Sequence, residues 1–496
     1  MVDTAGKPGL MASGTTPVTA KSDDKRKLGL FLLSGVVVGS MIGGGSFNLP
    51  ANMSGHAGLG AIIIAWIITL AGMFVLANAF RTLADERPDL KAGIYRYAEA
   101  AFGPLAGFQM AWGYWLSAAI GNVAFAVLIM QILGYFIPVF GDNKWVQLAG
   151  GTALIWIMNF TVLSGVKRAA GLNVFASFVN VITIGVAILV MAFFFKGSQF
   201  SFDFWGQQQG LGDVLGQVKS TMLVTLWVFI GIEAAVVVSD RARVPTQVGA
   251  ATFLGLTVCT ILYFLLSVLP FGMMAQKDIA GLANPSAAYV LEHFVGAWGA
   301  IFINVSLLFS VLFCWLAWTI LVAELPFEGA KGGVFPKFLA RENRHHAPAP
   351  SLWISSIVMQ ITMVVVLFAH DAWIFLISMA GVTVLPPYLF STLYLTIYAR
   401  DPNFKVHGSE TRGLSLLTGI LASIYSAWLL YAAGWQYLFM STILFALGLP
   451  VYWYAKRERE PSKPAFTTGE VVAAVILVLA AIAAIYLFSI GVVSFG

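Results

Sequence analysis

Two carboxylates stand where a charge is hard to keep. Of the 23 Asp and Glu residues in this 496-residue chain, only Glu233 and Glu324 fall well inside long hydrophobic runs. The others lie in tails, loops or at run ends, and no Lys or Arg reaches comparable depth. A charge at bilayer depth costs at least about 2.5–3.5 kcal/mol on insertion scales, so such a group faces a cavity, a partner or a cation supplied by solvent or ligand. Protonation with a hydrogen bond to a neighbouring helix is the other way out, and it needs no ligand. Glu233 has the stronger setting. It closes Trp227-Val228-Phe229-Ile230-Gly231-Ile232-Glu233, where a glycine near the carboxylate can interrupt a helix.

A second constellation is Gly39-Ser40-Met41-Ile42-Gly43-Gly44-Gly45-Ser46-Phe47-Asn48-Leu49-Pro50. Each glycine costs a helix about 1 kcal/mol against alanine, and Pro50 removes a further donor. A helix broken here exposes N–H groups that suit a carboxylate, whereas an unbroken one would use its glycines for close helix packing. Three consecutive glycines exceed what a packing face requires, which favours the break. The remaining reactive residues are badly placed for catalysis. Cys259 and Cys314 fall in apolar runs and read as small buried hydrophobes. The six histidines, His56, His293, His345, His346, His370 and His407, sit in loops or at run ends, against a histidine proton relay. With no zinc spacing and no nucleophile beside a base, neither an enzyme nor a cofactor is expected.

The elements that carry these residues follow from composition. The chain is 59% hydrophobic and 10% charged, against roughly 25% charged in soluble domains. Lipid is therefore the expected solvent, and the apolar runs have the length of helices that cross it. The expected spans are roughly 28–52, 58–80, 105–137, 145–164, 170–195, 220–239, 248–275, 296–325, 351–369, 373–398, 413–432, 436–455 and 468–492. Of the 28 Lys and Arg residues, all but Lys144, Lys196, Lys219 and Lys277 fall on the side of the amino terminus. That asymmetry places the amino terminus in the cytoplasm of a multi-pass inner (plasma) membrane protein, and accounts for the net charge of +5 without nucleic acid. Residues 1–27 read as a disordered cytoplasmic tail, 28–400 as the core, 401–456 as peripheral spans eleven and twelve, and 457–496 as an extra span thirteen. Spans one and six, each with a candidate break, hold corresponding places in two sets of five helices, the positional signature of an inverted-repeat transporter fold. Pro386-Pro387 should kink or unwind span ten.

At these residues the chain resembles the amino acid–polyamine–organocation superfamily, and within it the basic amino acid/polyamine antiporters. The glycine run, the Trp227-to-Glu233 motif, Trp318-Thr319-Ile320-Leu321, and Tyr114-Trp115-Leu116 with Ile120-Gly121-Asn122 carry the likeness, which extends over residues 28–456. It is nearest to arginine/ornithine antiporters, with arginine/agmatine exchangers as relatives. The resemblance implies that backbone at Ile42, Gly43, Gly44 and Gly45 holds a substrate carboxylate, with Gly44 where some relatives have serine. It implies that Trp227 shields the substrate and that Trp318 stacks on its cationic side chain, a contact of about 0.5–2 kcal/mol. Tyr114, Ala118 and Asn122 recur every four residues on one face of span three. There Asn122 would accept from the distal cation and Tyr114 would gate the outer side. Phe229 and Glu233 take gating or coupling roles. Glu324 replaces a neutral glutamine of the arginine/agmatine relatives, about 9 Å past Trp318 at helical rise, where it would attract cations to the inner vestibule. For each tryptophan, ordinary packing is the competing reading.

A membrane enzyme lacks its constellation, and a channel or receptor lacks a polar pore face or a large outer domain. A secondary transporter exchanging cationic amino acids accounts for the broken spans and buried carboxylates, with arginine-for-ornithine exchange the leading expectation. Exchange against a decarboxylation product (arginine/agmatine or lysine/cadaverine) and proton-coupled uptake remain alternatives. The membrane part of span five, Leu172 to Phe195, carries no charged residue at all, which favours exchange over ion symport. The expected partners are cationic amino acids and the lipid bilayer, not nucleic acid, with a homodimer left open.

Overall fold

The computed structural model describes residues 30–90, 94–165, 169–200, 203–232, 247–402, 404 and 411–493. The tail 1–27 and Glu233 lie outside them. Among the described residues the fold is helical throughout, and eleven helices are long and apolar enough to cross a membrane. The order is α1 (Leu30–Met41), α2 (Leu49–Ser54), α3 (Leu59–Glu86), α4 (Tyr95–Phe102), α5 (Pro104–Phe136), α6 (Lys144–Leu163), α7 (Ala169–Phe193) and α8 (Val214–Trp227). There follow α9 (Gln247–Val268), α10 (Ser286–Val295), α11 (Ala297–Lys331), α12 (Ala349–Val365), α13 (Ala372–Tyr398), α14 (Arg412–Ala432), α15 (Trp435–Arg459) and α16 (Thr468–Ser489). Two further stretches depart from a single long helix: α1 leads through a short turn into α2, and α8 gives way to tight turns over residues 228–232. The all-α polytopic expectation holds.

Lipid cannot satisfy backbone groups, and several helices begin on polar side chains. Asn143 accepts from the N–H groups of Trp145 and Val146, Asp213 from Gly216, Asp371 from Ile374 and Thr411 from Leu414. Between spans, small hydroxyl residues make the cross-links expected of membrane helices. Ser117 of α5 donates to the Ala380 carbonyl of α13 at 2.8 Å, and Thr69 of α3 to Thr225 of α8 at 2.9 Å. α5 is the central element, with 89% of its apolar window enclosed, while α16 has 11% and lies against α15 with most of its surface outward. Of the two outcomes expected at Pro386 and Pro387, a kink or an unwinding, the unwinding does not occur: α13 runs as helix from Ala372 to Tyr398.

Candidate functional site

The first break lies where the glycines are densest. α1 ends at Met41, Gly43 donates to the Met41 carbonyl at 2.9 Å, and the chain extends there with φ −101° and ψ 178°. A 3₁₀ turn over Gly44–Asn48 then leads into α2. Pro50 falls in the first turn of α2, where no intrahelical N–H bond is lost. The stranded carbonyls of α1 are taken up by uncharged polar side chains. Tyr263 of α9 donates its hydroxyl to Met41 O at 2.9 Å, and Ser177 and Asn180 of α7 donate to Gly39 O at 2.9 Å and Ile42 O at 3.3 Å. On the other side of the break, the N–H groups of Gly44 and Gly45 have no acceptor among the described residues. They are the first donors of a helical segment, the arrangement that attracts an anion.

The second break follows α8. Phe229, Ile230 and Ile232 donate to Leu226 O, Trp227 O and Phe229 O at 3.0, 3.3 and 3.1 Å in tight turns. Gly231 sits at φ 108°, a conformation that only glycine takes without strain.

Between the two breaks lies a cavity enclosing about 650 Å³ of empty space, its mouth included. Its floor is Gly43, Gly44, Gly45 and Ser46; α5 contributes Tyr114, Ser117, Ala118, Gly121 and Phe125. The second break adds Trp227, Val228 and Ile230, and α11 adds Cys314 and Trp318. None of its described lining residues is acidic or basic. Trp227 meets Trp373 edge-on at 6.2 Å, and its ring crosses α5 at Gly121, where a Cβ would come to 3.2 Å of it. Such a chamber holds a cation by aromatic faces and carbonyl dipoles, and a carboxylate by backbone N–H groups.

The structure thus brings together Gly43, Gly44, Gly45, Tyr114, Ala118, Trp227 and Trp318. Other expected residues are not in the lining. Ile42 is buried in the core, and its carbonyl is engaged by Asn180. Asn122 is fully buried; its amide donates to Ala118 O at 2.7 Å and Trp318 O at 3.5 Å, and its oxygen accepts from Thr319 at 3.3 Å. It ties α5 to α11 and is not turned to the cavity. The error was one of helical phase. A four-residue step turns about 400°, so two steps carry residue 122 some 80° off the face of Tyr114, whereas residue 121 stays within about 20°. That correction also recovers Ser117, Gly121 and Phe125, which the four-residue spacing missed. Phe229 is buried behind the second break, 5.5 Å from the ring of Tyr263 and 6.3 Å from that of Trp66. Glu324 is half-buried on α11 outside the cavity lining, in electrostatic reach of Glu328, Lys331 and Glu342. Cys314 was read as an inert buried residue; it is buried but forms part of the wall, one turn before Trp318.

Residues 28–433 match the amino acid permease family. The chain belongs to that family. The permease is similar along almost its whole length to relatives named arginine/agmatine antiporter. That of Chlamydia felis is 47% identical over 475 residues, covering 94% of this chain and 98% of the relative. That of Chlamydia pneumoniae is 46% identical over 481 residues, covering 96% and 99%. The antiporter of Chlamydia caviae is 47% identical over 476 residues, covering 95% and 98%. The permease is a multi-pass membrane transporter of the amino acid–polyamine–organocation superfamily, not an enzyme, as the resemblance implied.

Proposed function

We propose that this permease exchanges cationic amino acids across the inner membrane, importing or exporting arginine against a second cation. Agmatine is the leading partner, because relatives at 46–47% identity carry that name; ornithine is the partner the sequence motifs favoured. The observation that carries the reading is the uncharged cavity where two helix breaks meet Trp227 and Trp318. In this reading the free N–H groups at Gly44 and Gly45 receive a carboxylate when the cargo has one, and Trp318 faces the guanidinium or ammonium. Tyr114 gates the cavity from the outer side and Phe229 supports the second break. Glu324 raises the local concentration of cations at the inner vestibule. Glu233 couples gate movement to its own protonation or to occupancy, so Glu233→Gln should leave binding intact while exchange slows and its pH dependence flattens. Residues 28–400 form the transport core, with the amino terminus in the cytoplasm.

Counterflow tests the reading. Proteoliposomes loaded in turn with agmatine, ornithine, lysine or cadaverine are given labelled arginine outside. Accelerated uptake should require a cationic load and should be fastest with agmatine. Trp318→Leu should raise the apparent KM by about 1–2 kcal/mol, roughly five- to thirtyfold. Uptake indifferent to the load would rule out exchange, and an unchanged KM would remove Trp318 from the site.

A further inference from the structure

The thirteenth span, α16, has no part in the cavity and turns most of its surface outward, yet it sends one carboxylate inward. Glu470 is half-buried, and its two oxygens have different tasks. Oε2 serves α16 itself, accepting from Thr467 N at 2.8 Å and Thr467 Oγ1 at 3.1 Å in a capping box. Oε1 reaches two other helices. It accepts from Leu105 N at 3.0 Å and from the Tyr452 hydroxyl of α15 at 3.0 Å.

Leu105 is the first residue of α5 with an N–H to give, since Pro104 has none. The residue that should cap α5 is Gly103, which has φ 91° and no side chain. The helix therefore begins without a cap of its own, and receives one from 365 residues away. A carboxylate there answers both the orphan N–H of Leu105 and the positive end of the helix dipole. From this point a line of rings runs toward the cavity. Phe466 meets Tyr452 at 5.2 Å, Tyr452 meets Phe108 at 5.3 Å, Phe108 meets Trp112 at 5.9 Å and Trp112 meets Trp115 at 5.0 Å. Trp115 stands between Tyr114 and the Ser117-Ala118 pair that line the cavity.

We propose that Glu470 is a positioning residue for transport: it supplies the missing N-cap of α5 and so holds the cavity face of that helix in place. The proposal rests on the reading of the cavity as the substrate site. The division between the two oxygens gives the test. Full-length E470A, E470Q and T467A are reconstituted, and arginine exchange and thermal unfolding in detergent are measured for each. T467A removes the cap of α16 and leaves the bond to Leu105, so it should lower the unfolding temperature with an unchanged apparent KM. E470A should raise the apparent KM about threefold or more. E470Q keeps a weaker acceptor and should fall between E470A and the unsubstituted protein. An unchanged KM in E470A, or an equal rise in T467A, overturns the proposal. Should E470A not fold, the contrast is read between E470Q and T467A: a rise confined to E470Q supports the proposal and parity overturns it. Trp318→Leu in the same assay separates the two failures. A raised KM there beside an unchanged one in E470A defeats this proposal alone, whereas an unchanged KM in Trp318→Leu defeats the cavity assignment and this proposal with it.

Discussion

Gly43 and Gly44 are chain neighbours with opposite surroundings. A methyl added at Gly43 meets nothing within 4 Å, and the backbone there, at φ −101°, accepts any residue. A methyl at Gly44 comes to 2.6 Å of Leu128 Cδ2 and of Val311 Cγ2. The tip of Leu128 can swing aside, but Val311 is stiff at its first torsion. Gly44→Ala should therefore cost about 1–3 kcal/mol of stability and weaken all cargoes alike. Gly43→Ala should fold normally and weaken arginine more than agmatine, which has no carboxylate. Binding of both ligands, measured beside unfolding temperature, checks the pair; equal losses at Gly43 would mean that no carboxylate is held there. Asn122 yields a second contrast. Its bonds to Trp318 O and Thr319 are structural, so Asn122→Ala should lose about 1–2 kcal/mol of stability and leave the preference between arginine and lysine unchanged. A changed preference at unchanged stability would return it to the binding site. Residue types were legible in the sequence, because glycine density and midspan tryptophan are local facts. Side-chain direction on α5 was not, because a helix does not repeat at four residues.

At the scale of elements, both helix breaks could be read from glycines, but not the groups that make the first one tolerable. Tyr263, Asn180 and Ser177 reach the end of α1 from other helices, and nothing near the glycines signals them. A similar long-range contact fastens the carboxyl-terminal ends of α3 and α13. Arg87, just past α3, lies 5.7 Å over the Tyr394 ring and 5.3 Å over that of Tyr398, and donates to the Tyr394 hydroxyl. It also forms a two-pronged pair with Asp89 at 2.8 and 2.6 Å. The hydrogen bond from Arg87 holds the Asp89 carboxyl below its ordinary range. A carboxylate lowered in the folded state adds stability above its unfolded pKa, and loses it as pH falls through the lowered value. The fastening should therefore hold from neutral pH through mild acid and fail only in strong acid. Asp89→Asn should lower the unfolding temperature at pH 7 and pH 5 by similar amounts, the difference closing below about pH 4. A difference already gone at pH 5 would show that the pair does not hold α13.

For the whole molecule, eleven of the thirteen expected spans appear as long apolar helices among the described residues, legible because bilayer thickness fixes how long an apolar helix must be. The expected run 105–137 is α5, Pro104–Phe136, and the expected run 373–398 is α13, Ala372–Tyr398. The link from α16 to α5 was not legible, since it joins residues 365 apart. Topology carries a prediction at this scale. Lys144 and Lys463 are exposed and lie on opposite sides by the distribution of basic residues. A cysteine at Lys144 should react with an impermeant thiol reagent in intact cells, and one at Lys463 only after permeabilisation; the reverse pattern would invert the assigned orientation. The uncharged wall of the cavity has an electrical consequence for the proposed exchange. The described lining offers no acidic or basic group to carry a proton along with the cargo, so the charge moved per cycle is the difference between the two cargoes. Arginine carries one positive charge and agmatine two, so their exchange moves one elementary charge, worth about 2.3 kcal/mol per 100 mV of membrane voltage. An interior-negative membrane would then draw agmatine in and arginine out, and the cell's gradients must work against that pull to run the cycle the other way. Ornithine, with one charge, would leave the voltage without a say.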